Sequence, residues 1–251
     1  MTYLVVGASS GLGRALAERF ASAGNELILV SRDKRDTEAL SAHLTILHGV
    51  KVSPVTIDLA KSPLSYTEID AALQVHQPLK GVLLPAGAND NDDVVGLNDD
   101  KLTYLTRVNY LAPCELLNRY LPLLKDNDGV VIGFGSVATA RGRTQNAAYA
   151  AAKSALQAYF ESLAHSSAQS GLCCQFYILG YLNTNLAFAQ AGAGFEMSFT
   201  VQPTSENLPA AVVGAQNAQT LQKLNAEGGF AFAQEFAAAV SSHAAGAGVV
   251  V

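Results

Sequence analysis

A chain of 251 residues, 49% hydrophobic and only 15% charged, can bury a sizeable core as one large α/β domain, and elements this apolar call for cover on both faces, as in a parallel sheet. Its formal net charge of −5, with Lys and Arg scattered, offers no basic stripe, so no nucleic-acid partner is expected. Cys114, Cys173 and Cys174 lack metal-ligand spacing, the five histidines show no pairing, no apolar run reaches ~18 residues and no signal peptide is visible, which predicts reduced packing cysteines in a cytoplasmic protein.

Tyr3 to Val6 is a short β-prone run, followed by Gly7-Ala-Ser-Ser-Gly-Leu-Gly13 and a helical pattern through Ala23. Strand, glycine turn and helix make a phosphate site, because glycines let the backbone approach a phosphate seated on the free N–H groups of the helix N-terminus. Gly7, Ser9, Ser10, Leu12 and Gly13 are its candidate contacts. A second strand, Glu26 to Ser31, ends at Arg32 with no Asp at position 31 or 32. An acid at that strand end binds an adenosine ribose 2′-hydroxyl and an Arg accommodates a 2′-phosphate, so NADP is favoured over NAD, with Arg32 as the contact and Arg14 as a second candidate.

Lys34 to His48 reads as a helix and Lys51 to Ile57 as a third strand closing on Asp58-Leu59. Asp58 has two open readings, acceptor for an adenine amino group or cap of the next turn. A helix from Tyr66 to His76 and a strand from Gly81 to Leu84 lead to the turn Pro85-Ala-Gly87 and an acidic, polar loop from Asn89 to Asp100. Lys101 to Leu124 reads as one long helix with Asn109 inside it, an unfavourable residue there that needs a reason. Gly129 to Gly135 is a fifth strand delivering Ser136, a helix runs to about Ser170, and Leu172 to Leu179 is a sixth strand. Residues 185–204 suit a lid over a pocket. Beyond it lie two helical patterns, Glu206 to Leu224 and Ala231 to Ser242, and a possible last strand, Gly248 to Val251. Strands alternating with helices in this way predict a doubly wound, Rossmann-type parallel sheet in three α/β/α layers, with residues 1–251 forming one domain.

Tyr149 and Lys153 lie four apart on a helix and so address one volume, with Ser136 delivered by the preceding strand. A phenol of ordinary pKa ~10 becomes a usable acid or base when a neighbouring cation favours the phenolate. Ser136 can hold a substrate oxygen while Tyr149 moves its proton, and the remaining hydride belongs to a cofactor.

These motifs, in order over residues 3–184, resemble the single-domain form of the short-chain dehydrogenase/reductase family. The resemblance aligns the glycine turn with the family's cofactor motif, Asp58-Leu59 with its adenine-site pair, Ala86-Gly87 with its Asn-Asn-Ala-Gly turn, and Gly180 with Thr184 with its nicotinamide loop. Asn109, Ser136, Tyr149 and Lys153 match its catalytic tetrad. It implies that Tyr149 is the general acid/base, that Lys153 lowers the Tyr pKa and binds the nicotinamide ribose, and that Asn109 holds a water relaying protons to Lys153. It also implies a homodimer or homotetramer paired through the helices at 101–124 and 147–170, with Leu105, Leu116 and Tyr120 as candidate contacts that ordinary core packing explains equally well. Three positions depart from the pattern: Leu84-Pro85 replaces Asn-Asn, Leu179 replaces a Pro, and the tail lacks Asp-Gly-Gly. Arg141-Gly-Arg and Asn146 before Tyr149 also resemble the branch holding decaprenylphosphoryl ketopentose reductases. The expected function is an NADP-dependent ketoreductase acting on a small-molecule ketosugar or 3-oxoacyl thioester; the alternative is a catalytically silent NADP-binding sensor or structural subunit.

Overall fold

The computed structural model describes residues 1–180; Thr184, the 185–204 lid and the tail elements expected beyond it lie outside them. Six parallel strands, β1 (Thr2–Val6), β2 (Glu26–Ser31), β3 (Val52–Thr56), β4 (Leu79–Leu84), β5 (Val130–Ser136) and β6 (Cys173–Leu179), form one sheet in the order β3-β2-β1-β4-β5-β6. The order reverses direction between β1 and β4, and in open α/β sheets the crevice outside the carboxyl ends at such a switch point is where ligands bind. Pro54, which cannot donate to a ladder, sits on the edge strand β3.

Alternation along the strands builds the layers. Tyr3 and Val5 of β1 face a core shared with Leu27 and Leu29 and covered by α1 (Gly11–Ser22) and α2 (Lys34–His48), through Leu16, Phe20, Leu40 and Leu44. Leu4 and Val6 face the opposite core with Ile28, Val82 and Val131, covered by α3 (Thr67–Val75), α4 (Asp99–Thr106), α5 (Ala112–Asp126) and α6 (Ala147–Ser166). The sheet is buried on both faces, as its apolar strands require. Each fully buried Leu or Phe here contributes ~2 kcal/mol of transfer free energy. Leu105, Leu116 and Tyr120 lie in this second core, and the Tyr120 hydroxyl donates to Asp70 at 2.9 Å, so of their two open readings, subunit contact and core packing, core packing is the one realised.

The single helix expected over 101–124 is broken. α4 passes into a π-helical segment, Arg107–Leu111, before α5 begins. Asn109 Nδ2 donates to the Leu105 carbonyl one turn back at 2.9 Å and to the Ala88 carbonyl at 2.8 Å, pulling the turn toward the loop after β4. Arg107 in the same segment donates twice to Glu115 and twice to the Lys61 carbonyl. An inserted side chain of this kind is a recognised cause of a local π turn. The three cysteines are free thiols, and burial pushes Cys114 and Cys174 up to about 12, which keeps both protonated and inert. Of the histidines, His76 is a satisfied one: its Nδ1 lies 2.9 Å from Glu26 and its Nε2 2.8 Å from the Ser53 hydroxyl.

Candidate active site

Every strand end that the sequence marks opens onto one cavity of about 370 Å³ along the carboxyl edge of the sheet. On one side its wall is the glycine turn. Gly13 carries no Cβ because one would stand 2.0 Å from the Gly7 carbonyl oxygen, and Gly7, at φ +93°, would place one 2.7 Å from Ala86 Cα. The two turns are therefore in backbone contact, and α1 starts hard against β1 with Ser10 at its N-cap in extended conformation and making no side-chain cap. That leaves first-turn amides facing the cavity, a cradle suited to a pyrophosphate.

Arg32 and Asp33 line the same cavity at the end of β2. Asp33 Oδ1 is engaged as the N-cap of α2, accepting from the Asp36 amide at 2.9 Å, whereas Arg32 is exposed. Arg14 pairs with Glu18 at 3.0 Å and is not part of the lining. Asp58 and Leu59 line the wall beyond β3, and Asp58 Oδ1 accepts from the Ala60 amide at 3.0 Å, so the turn-capping reading of Asp58 is realised alongside its place in the cavity.

The other wall holds the chemistry-bearing groups. β5 ends at Ser136, whose Oγ accepts from the Ala138 amide at 3.2 Å and opens a short 3₁₀ turn. Tyr149 stands in the first turn of α6 and Lys153 one turn on, and all three line the cavity. Lys153 is 4% exposed; its Nζ donates to the Phe134 carbonyl at 3.1 Å and the Ala86 carbonyl at 3.3 Å, bridging the ends of β5 and β4. Burial lowers its pKa to about 8, since removal from water penalises the ammonium.

Asn109 sits behind the wall, fully buried, and does not line the cavity. Its Oδ1 accepts from the Ala88 amide at 3.1 Å while Nδ2 returns to the Ala88 carbonyl, so the side-chain amide is occupied by backbone and fixes the turn. Gly87 is squeezed between: a Cβ there would meet Asn109 Oδ1 at 3.3 Å and Lys153 Nζ at 3.7 Å. The Leu84-Pro85 departure leaves this turn anchored by backbone groups, with the Ala86 amide donating to the Val6 carbonyl at 2.9 Å. Tyr104, Arg143 and Asn146 also line the cavity.

Sequence reading passed over Asp93. It is 1% exposed, and its two carboxylate oxygens accept from the Ala148 and Tyr149 amides at 2.8 and 2.9 Å. Nothing local distinguishes it from Asp90 and Asp92; only a contact spanning 55 residues does. Among the described residues no group of His, Cys, Asp and Glu is placed to hold a metal ion, and no helix is long and apolar enough to cross a membrane.

A parallel sheet with a glycine-turn cradle on one side of the switch-point crevice and a Ser, Tyr and Lys on the other defines a Rossmann-type α/β fold. Residues 1–193 match the family model described as short chain dehydrogenase, and the chain belongs to that family. It is 29% identical over 197 residues to a dehydrogenase/reductase SDR family protein 7-like of Anopheles gambiae, covering 76% of this chain and 62% of that protein. It is also 26% identical over 189 residues to an inactive hydroxysteroid dehydrogenase-like protein 1 of Pongo abelii, covering 73% and 56%. The chain thus spans about three fifths of the length of the curated relatives it matches. Among solved structures, a short-chain dehydrogenase from Sphingobium yanoikuyae in complex with NADPH superposes at a TM-score of 0.68 with 27% identity, over 74% of this chain and 73% of that one.

Proposed function

We propose that the protein is an NADP-dependent oxidoreductase interconverting a carbonyl and an alcohol, and that it works as a ketoreductase. The observation that carries this reading is the convergence of Ser136, Tyr149 and Lys153 with the glycine turn and Arg32 on one cavity. Gly7, Ser9, Ser10, Leu12 and Gly13 hold the pyrophosphate, Asp58 and Leu59 flank the adenine, Ala86 and Gly87 back the nicotinamide half together with Thr184, and Lys153 holds its ribose. Arg32 takes the 2′-phosphate; that Asp33 is committed to the α2 cap favours NADP over NAD. The bound nicotinamide supplies the hydride. Ser136 Oγ donates to the substrate oxygen, Tyr149 gives that oxygen its proton as the carbon is reduced, and the Lys153 ammonium favours the phenolate left behind. Asn109 holds the turn on which Gly87 and Lys153 meet.

Arg143 and Asn146 in the lining favour a hydroxyl-rich or phosphorylated ketone over a 3-oxoacyl thioester. One domain over the whole chain, self-association as a homodimer or homotetramer and a cytoplasmic location belong to the same reading by family analogy. The relative named inactive supports a second reading, a catalytically silent NADP-binding protein. Fluorescence titration with NADPH and NADH, followed by NADPH oxidation across a panel of ketoses and ketoacyl thioesters, separates the two. Tyr149→Phe is expected to keep the NADPH affinity and to lose ~10²–10⁴-fold in turnover. Failure to bind either nucleotide would overturn both readings, and binding without turnover of any ketone would leave the silent one.

A further inference from the structure

α6 begins without a cap of its own. Its N-cap residue, Asn146, has left-handed backbone (φ 62°, ψ 35°) and supplies no side-chain cap, and there is no acid in the first turn. A helix start leaves four amides without intrahelical acceptors, and here two of them belong to Ala148 and to Tyr149 itself. Both are satisfied from another part of the chain: the buried carboxylate of Asp93 accepts one on each oxygen, at 2.8 and 2.9 Å. The Asp93 carbonyl accepts the Asn146 amide at 2.7 Å, and Val94 pairs with Gln145 in an isolated antiparallel bridge. Four of the five positions 145–149 at the entry of α6 are thereby tied to two residues of the loop after β4.

That loop is itself fixed at its other end. Asn109 clamps both backbone groups of Ala88, and Lys101 Nζ donates to Asp90 at 3.0 Å and to Asp92 at 2.8 Å, while the Asp93 amide donates to the Asp90 carbonyl at 3.1 Å. A rigid strap of six residues, 88–93, therefore runs from the turn beside Lys153 to the first turn of α6. Its first end is held by Asn109 just after the turn whose Ala86 carbonyl accepts Lys153 Nζ, and its last end caps the helix turn that carries the Tyr149 phenol.

Resting on the oxidoreductase reading above, we infer that Asp93 is the positioning residue for Tyr149: its carboxylate, held by the 88–93 strap, sets the depth and rotation of the first turn of α6 and so the place of the phenol relative to Ser136 and Lys153. Tyr149 is the third residue of the helix, where a frayed first turn displaces it directly. Lys153, one turn further and gripped by two carbonyls, stays in place without the cap. Loss of Asp93 should therefore separate the two members of the pair without disturbing the nucleotide cradle on the far wall.

The test uses the full chain and compares Asp93→Ala with Asp93→Asn, which retains an acceptor oxygen, and with Asn98→Ala, which removes the α4 N-cap accepted from the Lys101 amide at 2.9 Å and lies outside the cavity. Three readouts are taken: NADPH affinity by fluorescence, kcat and KM for reduction of 9,10-phenanthrenequinone, and the Tyr149 resonance in ζ-¹³C-tyrosine protein, assigned by its loss in Tyr149→Phe. Asp93→Ala is expected to lose on the order of 10²-fold in kcat, the cost of a misplacement near 1 Å. Its NADPH affinity should stay within about twofold and its Tyr149 resonance should shift, with Asp93→Asn, whose single amide oxygen can accept only one of the two N–H groups, intermediate in kcat and in the resonance. Asn98→Ala should lose comparable thermal stability with kcat and the resonance unchanged. The inference is overturned if Asp93→Ala keeps kcat and the resonance, if its NADPH affinity falls in step with kcat, or if Asn98→Ala reproduces its effects. A wild-type protein that binds NADPH and reduces no carbonyl would sink the oxidoreductase reading instead, and the Tyr149 resonance would still decide whether Asp93 places the phenol.

Discussion

Lys153 makes folding stability depend on pH in a direction opposite to that of a surface lysine with a partner. With its pKa lowered by burial to about 8, against an ordinary 10.5, the folded chain releases this proton first on raising the pH. Between those two values the unfolded chain holds more protons than the folded one, so stability must rise with pH across that window. At ~1.4 kcal/mol per pH unit the gap amounts to roughly 3 kcal/mol, fully absent at pH 7 and fully gained above pH 10.5. The comparison is Lys153→Met, which keeps an unbranched side chain of similar length and removes the titration. Losing the hydrogen bonds to the Phe134 and Ala86 carbonyls changes the level of the variant's stability, so the slope of the difference carries the test. Urea unfolding of both proteins at pH 7, 8, 9 and 10 should show the wild type gaining on the variant chiefly above pH 8, with a relative midpoint change of about 1 M across the full window. A difference that stays flat from pH 7 to 10 would mean that Lys153 keeps its ordinary pKa, and with it water or a counter-charge in the wall.

Two further substitutions probe the nucleotide wall. Gly13→Ala forces a Cβ to within 2.0 Å of the Gly7 carbonyl oxygen, which only backbone movement of α1 off β1 can relieve; we expect a loss at or above ~3 kcal/mol and of NADPH binding, and a melting temperature within two degrees of wild type would contradict the close approach. Arg32→Ala should weaken NADPH by ~10–100-fold, the worth of a charge-assisted phosphate contact, and leave NADH unchanged. Fluorescence titration at fixed ionic strength checks it, and equal loss for both nucleotides would remove Arg32 from the 2′-phosphate site.

The glycine-turn half of the cavity was legible because its determinants are local. The apolar run Tyr3–Val6, the glycines that follow it and the strand ending at Arg32 each carry their signal within a few residues, and the observed β2 and α2 coincide with the expected spans 26–31 and 34–48. That Ser136, Tyr149 and Lys153 meet on one wall was legible, whereas what supports that wall was not. Asn109 was recognisable as out of place in a helix, but its π turn depends on Ala88, a partner 21 residues away. Asp93 looked like one acid among several in a polar loop, since the amides it caps lie on a helix 55 and 56 residues later. The Leu84-Pro85 departure removes side chains, whereas the turn is held by backbone donors and acceptors reached from β1, Asn109 and Lys153, which is why the substitution is tolerated.

This division between local and non-local anchoring bears on how activity can be lost within such a family while the fold persists. The cradle formed by Gly7 to Gly13 is fixed by contact with β1 and with Ala86, and none of its bonds passes through Asp93. The phenol, in contrast, stands in a helix turn whose amides depend on a single carboxylate delivered by a loop. On the inference above, a change at that carboxylate is expected to leave the sheet and the glycine-turn wall in place and to shift Tyr149 relative to Ser136. Retained nucleotide binding therefore says little about turnover here. The first turn of α6 is therefore the element in which a functional and a silent member of this fold would be expected to differ, and Asp93→Ala tests this without altering a group that reaches the substrate.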